Sequence, residues 1–86
     1  MNMDKILGFI DPLLNSNIES LSTIALQIKQ IINDYITKEL SLKEFQELIG
    51  DIQKEKAIDI QSIALEEKNQ LLSLFDLILK AKSILI

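Results

Sequence analysis

Residues 41–84 read SLKEFQELIGDIQKEKAIDIQSIALEEKNQLLSLFDLILKAKSI, and the folding of this stretch decides the architecture. Its apolar positions Phe45, Ile49, Ile52, Ile60, Ile63, Leu71, Leu74 and Ile78 keep a three-four-four spacing, with Lys56 and Glu67 in the two unfilled slots. Residues three and four apart share one face of an α-helix. The opposite side carries a narrow polar row: Asp51, Glu55, Asp59, Ser62, Glu66, Asn69, Ser73, Asp76, Lys80 and Ser83. The pattern predicts one long helix over about 42–84, packed on more than one side. Gly50-Asp51 is the one place where it could stop. A glycine costs a helix interior about 1 kcal/mol relative to alanine, and Asp51 could cap a new helix. The stripe keeps its phase across Gly50, however, which predicts continuity. The alternative is a break at Gly50, with residues 1–14 folded back over the C-terminal part in a self-contained three- or four-helix bundle.

Upstream, Ser16 and Glu19 have the spacing of a capping box, in which each side chain satisfies a free backbone amide at a helix start. From there Ile18, Leu21, Ala25, Ile28, Ile32 and Tyr35 step as an a/d heptad, a coiled-coil-like seam widened by Ile24, Ile31 and Ile36. A first helix over about 16–38 follows. A short connection, Lys38-Glu39-Leu40, leads to a second box, Ser41 with Glu44, so the two helices are expected to be antiparallel neighbours. The eleven-residue repeat of the second helix favours a straight or mildly right-handed bundle. Mixed with a heptad, it suits a compact bundle more than a long rope. Residues 1–15 form an amphipathic lead, with Met3, Ile6, Leu7, Ile10, Leu13 and Leu14 at helical spacing. Gly8 and Asp11-Pro12 interrupt it, the latter reading as an N-cap followed by a first helical position. The domain organisation is therefore this lead, 1–15, and one helical hairpin or bundle domain, 16–86.

Composition supports an all-α class. The chain has 86 residues, 48% of them apolar, with two glycines and one proline to make turns. A sheet of this length would need turn residues far more often. The thirteen carboxylates outnumber nine lysines, and arginine and histidine are absent. Nucleic-acid binding draws on basic patches and arginine forks, so this chain is a poor candidate for it. With no cysteine, the fold must hold by packing alone. No signal-peptide pattern opens the chain, and no apolar run exceeds three residues, against about 18 for a membrane span. A cytoplasmic location is expected.

One chain looks insufficient to cover its own apolar surface. At 1.5 Å per residue the first helix spans roughly 33 Å and the second roughly 63 Å. The uncovered half is the most apolar: Leu71, Leu72, Leu74, Phe75, Ile78, Leu79 and Leu85 belong to an apolar arc wider than half the circumference, which Ile86 extends. One neighbouring helix needs only about 100°, and large exposed apolar patches are unusual in soluble monomers. The expected interface is thus this C-terminal stretch, buried by another copy or by a partner protein in a larger assembly.

No reaction chemistry is expected. Without histidine or cysteine most nucleophile–base pairs and transition-metal sites are excluded, so neither a catalytic centre, a metal, a cofactor nor a small-molecule substrate is expected. Glu66 and Glu67 point about 100° apart on a helix and do not face each other. The helix start around Phe45 looks like the entry to a calcium loop, but Gly50-Asp51-Ile52-Gln53 lacks the alternating oxygen ligands. Glu44, Glu47, Asp51, Glu55, Asp59 and Glu66 form an acidic ridge on one side of the expected long helix. Its ordinary reading is a solvated face. Its sharper reading is an acidic inhibitor, a nucleic-acid mimic that binds a host enzyme. A surface-bound membrane helix usually has a basic polar face, and this one is acidic along most of its length.

The segment from Leu40 to Ile52, with Ser41, Glu44, Phe45, Glu47, Leu48, Ile49 and the Asp51-Ile52 pair, resembles a pattern in small uncharacterised helical proteins of tailed bacteriophages. There a Leu/Ile-Ser/Thr-x-x-Glu-Phe/Tyr-x-Glu-Leu helix start leads into an Asp-Leu/Ile pair and a second apolar stretch. The resemblance covers residues 40–83 and departs at Gly50. It implies a virion component or assembly protein that works through helix packing, with no catalytic residues to carry over.

Overall fold

The computed structural model describes residues 1–85 and is all-helical. Five helices follow one another: α1 (Met3–Leu14), α2 (Glu19–Ile36), α3 (Leu42–Glu55), α4 (Ala57–Gln61) and α5 (Leu65–Leu79). α1 packs on α2 and α5, and α3 packs on the same two, so the four longer helices close a ring around one core. The short α4 caps one end, lying against α2 and α3.

The long second helix predicted over 42–84 is not present. It ends at Lys56 (φ −101°, ψ 15°), resumes as the short α4, and reverses through residues 62–64, where Ala64 is extended (φ −55°, ψ 148°). Gly50 lies inside α3 and breaks nothing. The molecule measures 32 × 22 × 19 Å, too short for a helix of the predicted length. Its radius of gyration of 12.1 Å matches the value of about 12 Å for a compact domain of this size. The reason is energetic. A break forfeits a few helical hydrogen bonds, each about 0.5–1.5 kcal/mol net. Folding back buries Leu71, Leu74, Phe75 and Ile78, at about 1.5–3 kcal/mol each. The three-four-four stripe stays in phase because α3, α4 and α5 all turn their apolar faces to the same core: Phe45, Ile49, Ile52, Ile60, Ile63, Leu71, Leu74 and Ile78 are all buried.

Residues 1–15 are a member of the bundle rather than a lead. α1 is capped by Asn2, whose Oδ1 accepts from the Asp4 N–H at 3.0 Å, and it runs through Gly8 and Asp11-Pro12 to Leu14. Met3, Ile6, Ile10 and Leu13 are buried along one face, and that burial outweighs the lost Pro12 N–H. The predicted Asp11 N-cap is therefore not formed; Asp11 and Pro12 occupy the last turn.

The two capping-box motifs differ. Ser41 Oγ accepts from the Glu44 N–H at 3.2 Å, and Glu44 Oε1 accepts from the Ser41 N–H at 3.0 Å, completing the box. Ser16 Oγ instead accepts from the Ile18 N–H at 3.0 Å, and the N-cap of α2 is Ile18, two residues later than predicted and with no side-chain cap bond. At its other end α2 closes on Lys38, in the left-handed region at φ 65°. The Lys38 N–H donates to the Tyr35 carbonyl and the Glu39 N–H to the Asp34 carbonyl, the paired bonds of a Schellman turn. Beside that turn Tyr35 stacks on Phe45, ring centroids 4.8 Å apart, joining α2 to α3.

Candidate interaction surface

The predicted C-terminal interface divides into two sets. Leu71, Leu74, Phe75 and Ile78 are fully buried in the chain's own core. Leu72, Leu79 and Leu85 remain 37%, 38% and 67% exposed. The expectation that this end exceeds what one chain can cover is therefore corrected for the first four, because α1 and α3 flank α5 where a two-helix hairpin would have left it bare. Ile86, part of that expectation, lies outside the described residues.

Side-chain and backbone hydrogen bonds fix how α5 and the tail are seated. Gln46 on α3 donates from Nε2 to the carbonyls of Ile78 (3.0 Å), in the last turn of α5, and Ala81 (2.8 Å), just past its cap, and so ties the end of α5 to α3. The Tyr35 hydroxyl donates to the Ile84 carbonyl at 3.1 Å. The Met3 N–H donates to the Leu85 carbonyl and the Leu85 N–H to the Met1 carbonyl, both at 2.7 Å, so a parallel bridge ties the tail to the start of α1. Leu85 is thereby held by its backbone while its side chain faces out.

With α5 seated this way, a second leucine row points to solvent. Leu65, Leu72 and Leu79 follow at seven-residue steps and are 70%, 37% and 38% exposed. Seven residues return a helix to within about 20° of the same direction, so the three align along one edge. The neighbouring edge of α3 lies close by. A Cβ added at Gly50 would sit 3.9 Å from Leu79 Cδ2, and Gln53, Ala57, Gln61, Lys68 and Leu72 line one shallow cleft of about 220 Å³. Gln46, Gly50, Gln53, Ala57 and Gln61 thus make an uncharged strip beside the leucine row, and Lys68 brings the cleft its charge. The sequence pattern hid this face. The seven-residue step is visible in it, but the denser inward row of α5 overlies it, and α3 becomes a neighbour only through the reversal at 62–64. Leu26, Leu48 and Ile58 are also exposed; single exposed apolar side chains are ordinary.

The acidic ridge does not survive as one continuous track. Glu44, Glu47, Asp51 and Glu55 are exposed on α3, Asp59 on α4 and Glu66 on α5, with the break at Lys56 and the reversal at 62–64 between them. Among the described residues the ion pair formed is Lys80 with Asp76, Nζ to Oδ1 3.0 Å, and it involves none of the six. Glu44 is engaged in the helix cap. The Ser41 N–H that it accepts holds its carboxyl below the ordinary range, with the Ser41 hydroxyl adding to the effect. Lys56 and Glu67, the two charges inside the apolar stripe, are both half-buried. Lys56 is the C-cap of α3 and Glu67 lies in the first turn of α5, where the helix dipole favours an acid. The stripe's unfilled slots therefore fall at helix ends.

Other features of the molecule carry little chemistry. A cleft of about 400 Å³ between α1 and α5 is lined by Lys5, Gly8, Phe9, Pro12 and Gln70, and these contain no nucleophile–base pair and no pair of carboxylates. Among the described residues no three acidic side chains converge as metal ligands, and no helix is long and apolar enough to cross a membrane.

Compared with known proteins, the chain matches no family model, no curated protein and no solved structure. Its fold and its outward leucine row define a small all-α bundle with one apolar edge.

Proposed function

We propose that this protein is a non-enzymatic helical interaction module whose working surface is the outward edge of α5 with the uncharged strip of α3 beside it. One observation carries the reading: Leu65, Leu72 and Leu79 align on a single helix edge and stay solvent-facing, although the same helix buries four other large apolar side chains completely. A solvated helix edge gains nothing from aligned leucines, whereas a helix-packing surface requires them. The carboxylates on α3, α4 and α5 offer no unbroken track like a phosphate backbone, which favours the leucine edge over the acidic-mimic reading. On the resemblance of residues 40–83 to tailed-phage proteins, we assign the module to particle assembly, in the host cytoplasm or in the virion.

Replacing Leu65, Leu72 and Leu79 together by serine is expected to remove the protein's cross-links, to itself or to other proteins, in a lysate of the cells that make it. Far-ultraviolet circular dichroism should remain that of the folded bundle. A folded triple variant with an unchanged cross-linking pattern would overturn the reading.

A further inference from the structure

We infer that the occupant of this edge is a second copy of the chain, docked antiparallel with α5 on α5 and a two-fold axis passing at Leu72. The inference rests on the reading of the leucine edge as an interaction surface. The sequence of α5 is symmetric about Leu72 in the features that matter. Leu65 and Leu79 lie seven residues to either side, and Lys68 and Asp76 lie four to either side. An isologous contact places each residue opposite its mirror position. Leu72 then meets Leu72 of the second copy, each Leu65 meets a Leu79, and each Lys68 comes level with an Asp76, twice over.

Charge decides the direction. A parallel pair would set Lys68 level with Lys68 and Asp76 level with Asp76, both repulsive. The antiparallel pair converts both into attractions. Asp76 is available for this, because its present bond to Lys80 is an exposed pair one helical turn apart, with side chains 61% and 77% exposed, and such pairs hold weakly. The adjoining edge, Gln46, Gly50 and Gln53 of α3 continued by Ala57 of α4, is itself uncharged.

Area decides the extent. A stable interface takes about 800 Å² from each partner, more than three partly exposed leucines supply. The dimer therefore uses the α3 strip as well, and Gly50, with no side chain beyond its Cα, lets the partner's helix come close to the α3 backbone. Each copy then contributes α3 and α5, two helices facing two.

The test is sedimentation velocity on the full chain from micromolar to near-millimolar concentration at low salt. The expected mass is twice the 9.8 kDa of the chain. Lys68→Asp alone and Asp76→Lys alone should each weaken the dimer about tenfold or more, since each creates two like-charge contacts. The double variant carrying both changes should recover the parent affinity. A monomer at every concentration would overturn the second copy as occupant, and a dimer indifferent to both single reversals would overturn the antiparallel register. If the chain is monomeric yet the serine triple loses cross-links to another protein, only the self-pairing fails. If the triple changes neither mass nor cross-links, the interaction surface itself fails.

Discussion

Two apolar rows run along α5 and meet opposite surroundings. Leu71, Leu74, Phe75 and Ile78 are shut inside the bundle, while Leu65, Leu72 and Leu79 face out. The residue types are alike and the rows share one helix. What separates them is the placement of α1 and α3, which close over one side of α5 and leave the other. An apolar excess in a sequence thus contains two components, one consumed by the chain's own topology and one left for association. Only the second bears on function.

The sharpest way to break this distinction is to truncate one residue from each row. Phe75→Ala should cost about 3–5 kcal/mol, because it opens a cavity in a sealed core. Leu72→Ala should cost less, about 1–2 kcal/mol, since over a third of the residue already faces water and its removal opens no sealed cavity. Chemical denaturation at concentrations low enough to favour the monomer checks both, and equal losses would erase the contrast between the rows. Gln46 probes how the distinction is set, because it pins the end of α5 on α3. Gln46→Leu leaves the Ile78 and Ala81 carbonyls without that donor and should cost about 1–3 kcal/mol. It should also speed exchange of the Leu85 and Met3 amides, which the tail bridge protects; unchanged exchange would mean that the tail is seated independently of Gln46.

The smallest effect concerns the start of α3, the helix beside the outward row. Glu44 has a folded pKa below its ordinary value of 4.5. A carboxyl with a lowered folded pKa adds stability above its unfolded pKa and loses it as pH falls through the folded value. The gap in melting temperature between the parent and Glu44→Ala should therefore hold constant at neutral pH and narrow on acidification below about 4.5. A gap that widened on acidification would contradict the cap geometry.

Much of the bundle was legible from local pattern. The stripe from Phe45 to Ile78 marks the residues that turn inward, and the Ser41–Glu44 box forms as its spacing predicts. The same spacing at Ser16 and Glu19 fails, because Ser16 turns its hydroxyl to the Ile18 amide in the α1–α2 connection. The break at Lys56 carried a weak signal: a charge inside an apolar stripe is tolerated best where a helix ends. The reversal at Ser62–Ala64 carried almost none, for it contains neither glycine nor proline and its extended residue is an alanine. The outward leucine edge was illegible for the same reason, since how much of the wide apolar arc of α5 stays uncovered depends on that reversal.

The amino-acid sequence by itself determined the helical class, the inward face of each helix and the cap of α3, because these follow from residues within a turn or two of one another. The tertiary structure alone decided that residues 42–84 fold as three helices, that residues 1–15 join the core, and that one leucine row of α5 stays exposed. Those outcomes depend on burial between segments far apart in the chain. That burial outweighs the local preference for an unbroken helix, and periodicity, being local, does not register it.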